Sequence, residues 1–277
     1  MKALTKKRRL SAISTVHYLK LVFRSLLLIC ATLAYIISRI KGDSISFEDL
    51  EDKPIIIGVI WVVFVTEIIF RFFPSKLESM GCQRQFFKNF KPTEAKKPIK
   101  QPLKITLFIA VLWLSLNAIF GILYYTHLID EGILLLISLL FSVCDMICIL
   151  FYCPFQTLIM KNKCCSSCRI YNWDYAMMFT PLIFVKSFYT LSLFGISLLL
   201  LIVWEISIYL HPERFSENTN ACLSCKDCKE KLCHHKVQLH YFWRSNRELF
   251  KKYNIEIIKK IESIGVNKNS KNNDTSK

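Results

Sequence analysis

The sequence predicts an all-α protein, a polytopic bundle of five or six transmembrane helices with a Cys-rich cytoplasmic tail. Of its 277 residues, 53% are hydrophobic, and the mean hydropathy is +0.34. Its 37 Lys and Arg outnumber 21 Asp and Glu, and they occupy different stretches from the apolar residues. Soluble domains are only about 45–50% apolar. The composition therefore excludes a disordered chain, a collagen-like repeat and an ordinary soluble enzyme.

Five apolar stretches are long enough to cross a hydrocarbon core of roughly 30 Å, which needs about 20 helical residues. They cover residues 18–40, 55–73, 105–125, 133–152 and 175–210. The first could be a signal peptide, but its apolar run continues to Ile40 without a clear cleavage site, which favours an uncleaved span. The short connection between the third and fourth predicts an antiparallel hairpin.

The fifth stretch has 36 residues, or about 54 Å of helix, which is too long for one untilted crossing. It could form two crossings that turn near Leu193–Gly195, or one crossing after a re-entrant segment, Trp173–Val185, broken before Pro181. Two crossings place the C-terminal tail in the cytoplasm, whereas one places it outside.

Lys and Arg predict the orientation. The basic arm 1–17 and the loops 74–104 and 153–174 are rich in them, whereas 126–132 has none. The positive-inside rule places the N-terminus and these basic loops in the cytoplasm. The tail, residues 211–277, has 14 Lys and Arg against eight acids, which favours the same side.

Within the tail, residues 211–263 combine Cys with a basic amphipathic helix, which is expected to lie on anionic lipid head groups of the bilayer. A nucleic-acid partner is not expected. Residues 264–277, rich in Asn, Lys and Ser, are predicted to be disordered.

The most specific chemistry lies in a run of thiols. Cys222, Cys225, Cys228 and Cys233 are spaced by two, two and four residues, and His234 follows. Thiols in a reducing compartment point to a metal site before a disulfide. Zinc could be held by the last three cysteines and either His234 or His235. An iron–sulfur cluster on all four cysteines is the alternative, although the final gap is longer than in bacterial ferredoxins.

A second thiol cluster lies in the loop after the fourth span, where Cys165 and Cys168 form a Cys-x2-Cys pair. Together with Cys225 and Cys228, this pair could complete a four-thiolate zinc site that joins the loop to the tail. Such a site is possible only if the tail is cytoplasmic.

Charged side chains inside a span cost roughly 2.5–3.5 kcal/mol each on insertion scales, so each needs a reason. Glu67 and Arg71 are four residues apart, and we expect them to form an ion pair near the cytoplasmic end of the second span. Asp145 and Cys148 share a face of the fourth span. They could form a proton or metal relay, make a polar contact to Lys186 or Arg71, or only hold helices together.

Three motifs resemble a family of small bacterial multi-pass membrane proteins with a C-terminal Cys-x2-Cys-x4-Cys motif. They are Met80-Gly81-Cys82-Gln83, residues 172–181, and His211-Pro212-Glu213-Arg214-Phe215-Ser216 leading into the tail cysteines. The resemblance implies a location in a bacterial plasma membrane and a metal site whose core ligands are Cys225, Cys228 and Cys233. It implies no particular activity. A looser likeness, at Cys148-x4-Cys153-Pro154, is to membrane subunits of quinol dehydrogenases.

The sequence is compatible with three functions. The first is a plasma-membrane protein with a structural zinc site, acting in assembly, transport or interaction. The second is a redox protein whose iron–sulfur cluster exchanges electrons with quinone. The third is a soft-metal transporter. No catalytic motif favours an enzyme, since the chain has only seven glycines and no Gly-rich phosphate loop.

Overall fold

The computed structural model describes residues 12–41, 54–74, 80–94, 97–98, 103–160 and 168–224. These residues are mostly helical, and no β-strand occurs among them. The α-helices are α1 (Ala12–Lys41), α2 (Pro54–Phe70), α3 (Met80–Gln85), α4 (Leu103–Tyr125), α5 (Glu131–Leu150), α6 (Asp174–Phe179) and α7 (Phe188–Leu210). The all-α prediction is confirmed.

Four of these helices, α1, α4, α5 and α7, are long and apolar enough to cross a membrane. Their outward faces remain apolar: Leu19, Leu26, Leu33 and Ile40, one every seven residues along α1, are all more than half exposed. Such a face is unfavourable in water and favourable in lipid. Helix α2 is also apolar but has only 17 residues, about 25 Å of helix.

Helices α4 and α5 form the predicted antiparallel hairpin. Its turn, residues 126–130, contains His127 at a φ of 58°. Asp130 caps α5 by accepting a 2.9 Å hydrogen bond from the Ile133 amide, and Tyr35 of α1 donates to the same carboxylate at 3.0 Å. Asp130 therefore fixes both the start of α5 and the end of α1 beside it.

Helix α1 runs antiparallel to α5. Besides the contact of Tyr35 with Asp130, the ring of Tyr18 packs edge-on against Phe151, just beyond the end of α5. Helix α2 lies beside α7, where the indole of Trp61 donates to Ser192 Oγ at 2.8 Å. The bundle thus pairs helices that are far apart in sequence.

The long fifth stretch is broken at residues 185–187, so the predicted turn near Leu193–Gly195 is wrong. Helix α6 continues as a 3-10 helix, Thr180–Phe184, and the backbone is extended at Val185 and Ser187. The Thr190 hydroxyl donates to the carbonyls of Val185 and Ser187 and stabilises this turn. Residues 193–195 lie inside the continuous helix α7.

The two arms of this stretch return to the same level. Trp173, before the first arm, donates through its indole to Glu205, near the end of the second, at 2.8 Å. At the turn, Phe184 lies so close to Gly121 that a Cβ there would be 2.6 Å from its ring. Residues 174–210 therefore form a hairpin with one short broken arm and one long helix.

These contacts define two ends of the bundle. The basic end comprises the start of α1, residues 71–74, 80–94, 151–160 and 168–174, and the segment after α7. The far end comprises Arg39, the turn 126–130 and residues 184–188. Lys186 lies at the far end, beside a pocket that Arg39 and Asp130 also line.

Candidate functional site

A buried network of charges joins three helices at the basic end. Arg24 of α1 is 1% exposed, and its guanidinium lies 2.6 Å from Oε2 of Glu67 in α2 and 3.4 Å from Oδ2 of Asp145 in α5. It also donates to the carbonyl of Ser142 at 3.1 Å. Lys20, one turn earlier, lies 3.4 Å from the other oxygen of Glu67. Two cations therefore compensate two partly buried carboxylates.

Aromatic rings complete the surroundings of Arg24. Its guanidinium lies 5.6 Å from the ring centre of Phe64 and 6.0 Å from that of Tyr175. The Tyr175 hydroxyl donates to Glu67 at 3.2 Å. Cation–π contacts gain strength where water is excluded. They add to the ion pairs that hold Arg24 in place.

The predicted partners of Glu67 and Arg71 are corrected by the structure. Glu67 pairs with Arg24 and Lys20, whereas Arg71 pairs with Asp174 at the start of α6. Arg71 also stacks on the rings of Tyr171 and Tyr175. Both predicted residues belong to the site, but the partners seen here come from other segments.

The cation that pairs with Asp145 is Arg24, whereas the sequence suggested Lys186 or Arg71. Lys186 lies at the far end, whereas Asp145 faces Arg24 at the basic end. The sequence signal for Arg24 was present, since an Arg inside an apolar stretch is costly unless paired. The position of Arg24 near the start of the stretch 18–40 does not by itself show which acids it meets.

The segment after α7 is fastened to the loop that follows α2. The Arg214 guanidinium donates twice to the carbonyl of Gln85, at 2.9 and 2.6 Å. The Asn172 amide donates to the Gln85 side chain at 2.9 Å. Desolvation lowers the pKa of Arg214, yet an arginine stays charged at neutral pH.

Asn220 is the centre of this attachment and is fully buried. Its amide donates to the carbonyls of Arg84 and Arg214, at 3.1 and 2.9 Å. Its side-chain oxygen accepts from the amides of Lys91 and Cys222. Backbone hydrogen bonds continue the contact, so residues 212–224 form one unit with residues 84–93.

The three motifs that carry the family resemblance meet here. Cys82, from the first motif, is fully buried in a core cluster with Tyr175, Phe179 and Trp204. Gln85, three residues later, forms hydrogen bonds with Asn172 of the second motif and Arg214 of the third. The three segments are far apart in sequence but come together at the basic end, where they form what we call the platform.

Of the seven described cysteines, four line one cavity at the basic end and the other three lie elsewhere. The Cys222 thiol donates to the Asn89 carbonyl at 2.9 Å. Cys168 and Cys148 line a cavity of about 140 Å³ at the basic end, into which Asp145 also faces. No group of three or more His, Cys, Asp or Glu side chains is placed to hold a metal ion within the described part of the chain. The other predicted ligands, Cys165, Cys225, Cys228, Cys233 and His234, lie outside the described residues.

Fold and site together define an all-α bundle of long apolar helices, held at one end by buried ion pairs and a fastened C-terminal segment. Comparisons with protein-family models, curated proteins and solved structures give no match. The resemblance to the bacterial family therefore stays a prediction.

Replacing Arg24 with Met should lower the free energy of unfolding by about 3–5 kcal/mol, because Glu67 and Asp145 lose a buried counter-charge. Arg39→Met, at an exposed pair with Asp130, is the matched control and should change stability little. Denaturant unfolding in detergent measures both. Adding Glu67→Gln to Arg24→Met should recover part of the loss. Equal effects of Arg24→Met and Arg39→Met would contradict the network.

Replacing Asn220 with Ala should release the segment after α7, because the buried hydrogen-bond partners of Asn220 lose their bonds. If the free energy that holds this segment in place falls by about 1.4 kcal/mol, the Cys222 thiol should be alkylated about tenfold faster. The rate is measured by mass spectrometry of the peptide that contains Cys222. The exposed residue Asn218 supplies the control, Asn218→Ala. An unchanged Cys222 rate in the Asn220 variant would refute the attachment.

Proposed function

We propose that this protein crosses a bacterial plasma membrane six times and carries a zinc-binding, Cys-rich tail in the cytoplasm. The zinc has a structural role, and the fixed tail acts in assembly or interaction with a partner. The observation that carries the proposal is the attachment of residues 212–224 to residues 84–93 through Arg214 and Asn220. It leads the chain directly from a rigid platform to Cys225.

The hairpin at residues 174–210 supports six crossings if its short arm is counted as one of them. Both of its outer ends meet at the basic end, where Trp173 contacts Glu205. The start of α1 lies at the same end, where Arg24 contacts Glu67. An even number of crossings puts both termini on one side. The excess of Lys and Arg in the loops at this end supports a cytoplasmic position.

Zinc bound by tail residues alone fits better than a site shared with the loop. Cys168 is buried and packs with Ile109 and Ile170 in an apolar cluster, so its thiol is engaged away from the surface. The set Cys225, Cys228, Cys233 and His234 needs no ligand from that cluster and has four ligands, the number that structural zinc requires.

The attachment of the tail to the platform supports a structural role for the zinc. A tail of this size has little apolar core of its own, and a metal can supply folding free energy to such a segment. With its start fastened by Asn220 and its middle closed around zinc, the tail would present a fixed basic surface. Anionic lipid head groups and a protein partner are the ligands that such a surface attracts.

A reporter fused after Lys277 tests the six crossings. A fluorescent protein that matures only in the cytoplasm should be active there, and an enzyme active only outside the cytoplasm should be silent. The same pair inserted after Leu128, in the far-end turn, should give the opposite result. External activity after Lys277 would overturn the cytoplasmic tail.

Metal analysis of the anaerobically purified protein tests the zinc site. We expect a colourless sample with about one zinc per chain, and its loss in Cys228→Ser but not in Cys30→Ser, whose thiol is exposed on α1. A brown sample that bleaches on reduction would establish the iron–sulfur alternative in its place. A sample that contains neither metal would contradict both.

A further inference from the structure

Four of the seven described cysteines line one cavity at the basic end, apart from the tail. The cavity has a volume of about 140 Å³ and lies between α4, α5, α6 and residues 153–156 and 168–171. Its soft and acidic lining residues are Cys144, Cys148, Cys153, Cys168, Met177, Met178, Asp145 and Asp174, and the rest are mainly aromatic and aliphatic.

Two of these thiols are adjacent. Cys148 lies in the last turn of α5, which ends at Leu150, and the chain then turns back so that the Cys153 thiol is within hydrogen-bonding reach of the Cys148 thiol. The Gln156 amide lies 3.5 Å from the Cys153 sulfur and donates to it. The turn after α5 therefore holds two sulfur ligands side by side.

The cavity suits a soft cation and not zinc. Thiolates and thioethers select Cu(I), whereas structural zinc takes four tetrahedral ligands. Among the described residues, no group of three or more His, Cys, Asp or Glu side chains is placed to hold a metal ion. The described residues do offer two adjacent thiols, with the thioethers of Met177 and Met178 in the same wall.

The acidic residues in the wall do not turn it into a site for a hard cation. Asp145 pairs with Arg24, and Asp174 pairs with Arg71. Both carboxylates are thus compensated by guanidinium groups. The cysteine sulfurs and the two methionine thioethers are the soft ligand atoms in this wall, which is otherwise mainly apolar.

We propose that Cys148 and Cys153 bind one soft monovalent cation of the Cu(I) class, with a Met177 or Met178 thioether as an additional ligand. Each thiol gives up its proton as its sulfur binds the ion, so binding releases up to two protons and transfers no electron. The site is independent of the proposed zinc site because the two share no ligand.

The test is an anaerobic titration of the full-length protein with Cu(I), in competition with a chromogenic Cu(I) chelator. To remove the tail thiols, Cys222, Cys225, Cys228 and Cys233 are replaced together by Ser. This variant should still bind one Cu(I) per chain. Adding Cys148→Ser should weaken binding by at least about 100-fold, since even outer-shell changes cost 10–100-fold. Adding Cys30→Ser to the tail variant instead should leave its Cu(I) affinity unchanged.

A second measurement uses the same tail variant without a further substitution. One equivalent of Ag(I), a redox-stable soft cation, should protect Cys148 and Cys153 from alkylation and leave Cys30 reactive, as read by mass spectrometry. The absence of Cu(I) binding in the tail variant, or unprotected Cys148 and Cys153, would overturn the site. Zinc missing from the tail would overturn only the proposed function.

Discussion

The position of Arg24 between Glu67 and Asp145 is the constraint on which the bundle depends. A guanidinium that is 1% exposed is tolerated only when its charge is compensated, because an isolated buried charge is far costlier than a paired one. Glu67 lies on α2 and Asp145 on α5. The pairing therefore sets how α1 is rotated and how deep it lies relative to both helices.

The same principle holds the two arms of the last hairpin. Arg71 pairs with Asp174, and Arg169 pairs with Glu205, so the short arm is tied to α2 and the long helix to the segment before α6. Lipid is as apolar as the helix faces, so apolar burial alone does not choose neighbours in a membrane. Here charged and polar pairs specify which helices meet, and they bring the motifs of the platform together.

Much of the fold was predictable from the sequence, and the site only in part. Apolar run length located the four long helices, and the short connection identified the α4–α5 hairpin. Glu67, Arg71 and Asp145 were recognised because charge in an apolar run needs an explanation. Their partners were not, since i to i+4 spacing on one helix says nothing about charges that other segments bring near. The chain break near Val185 was predicted only as one of two alternatives, because apolar composition alone does not reveal where a helix turns.

By itself, the sequence determined that this is a membrane protein with its basic loops at one end and its thiols in clusters, because hydropathy and charge are properties of local composition. Only the tertiary structure decided that Arg24 is the partner of Glu67 and Asp145, that the hairpin turns at residues 185–187, and that Cys148 and Cys153 lie side by side. Those relations depend on which helix faces pack together, and distances between distant segments are not encoded in any single stretch of residues.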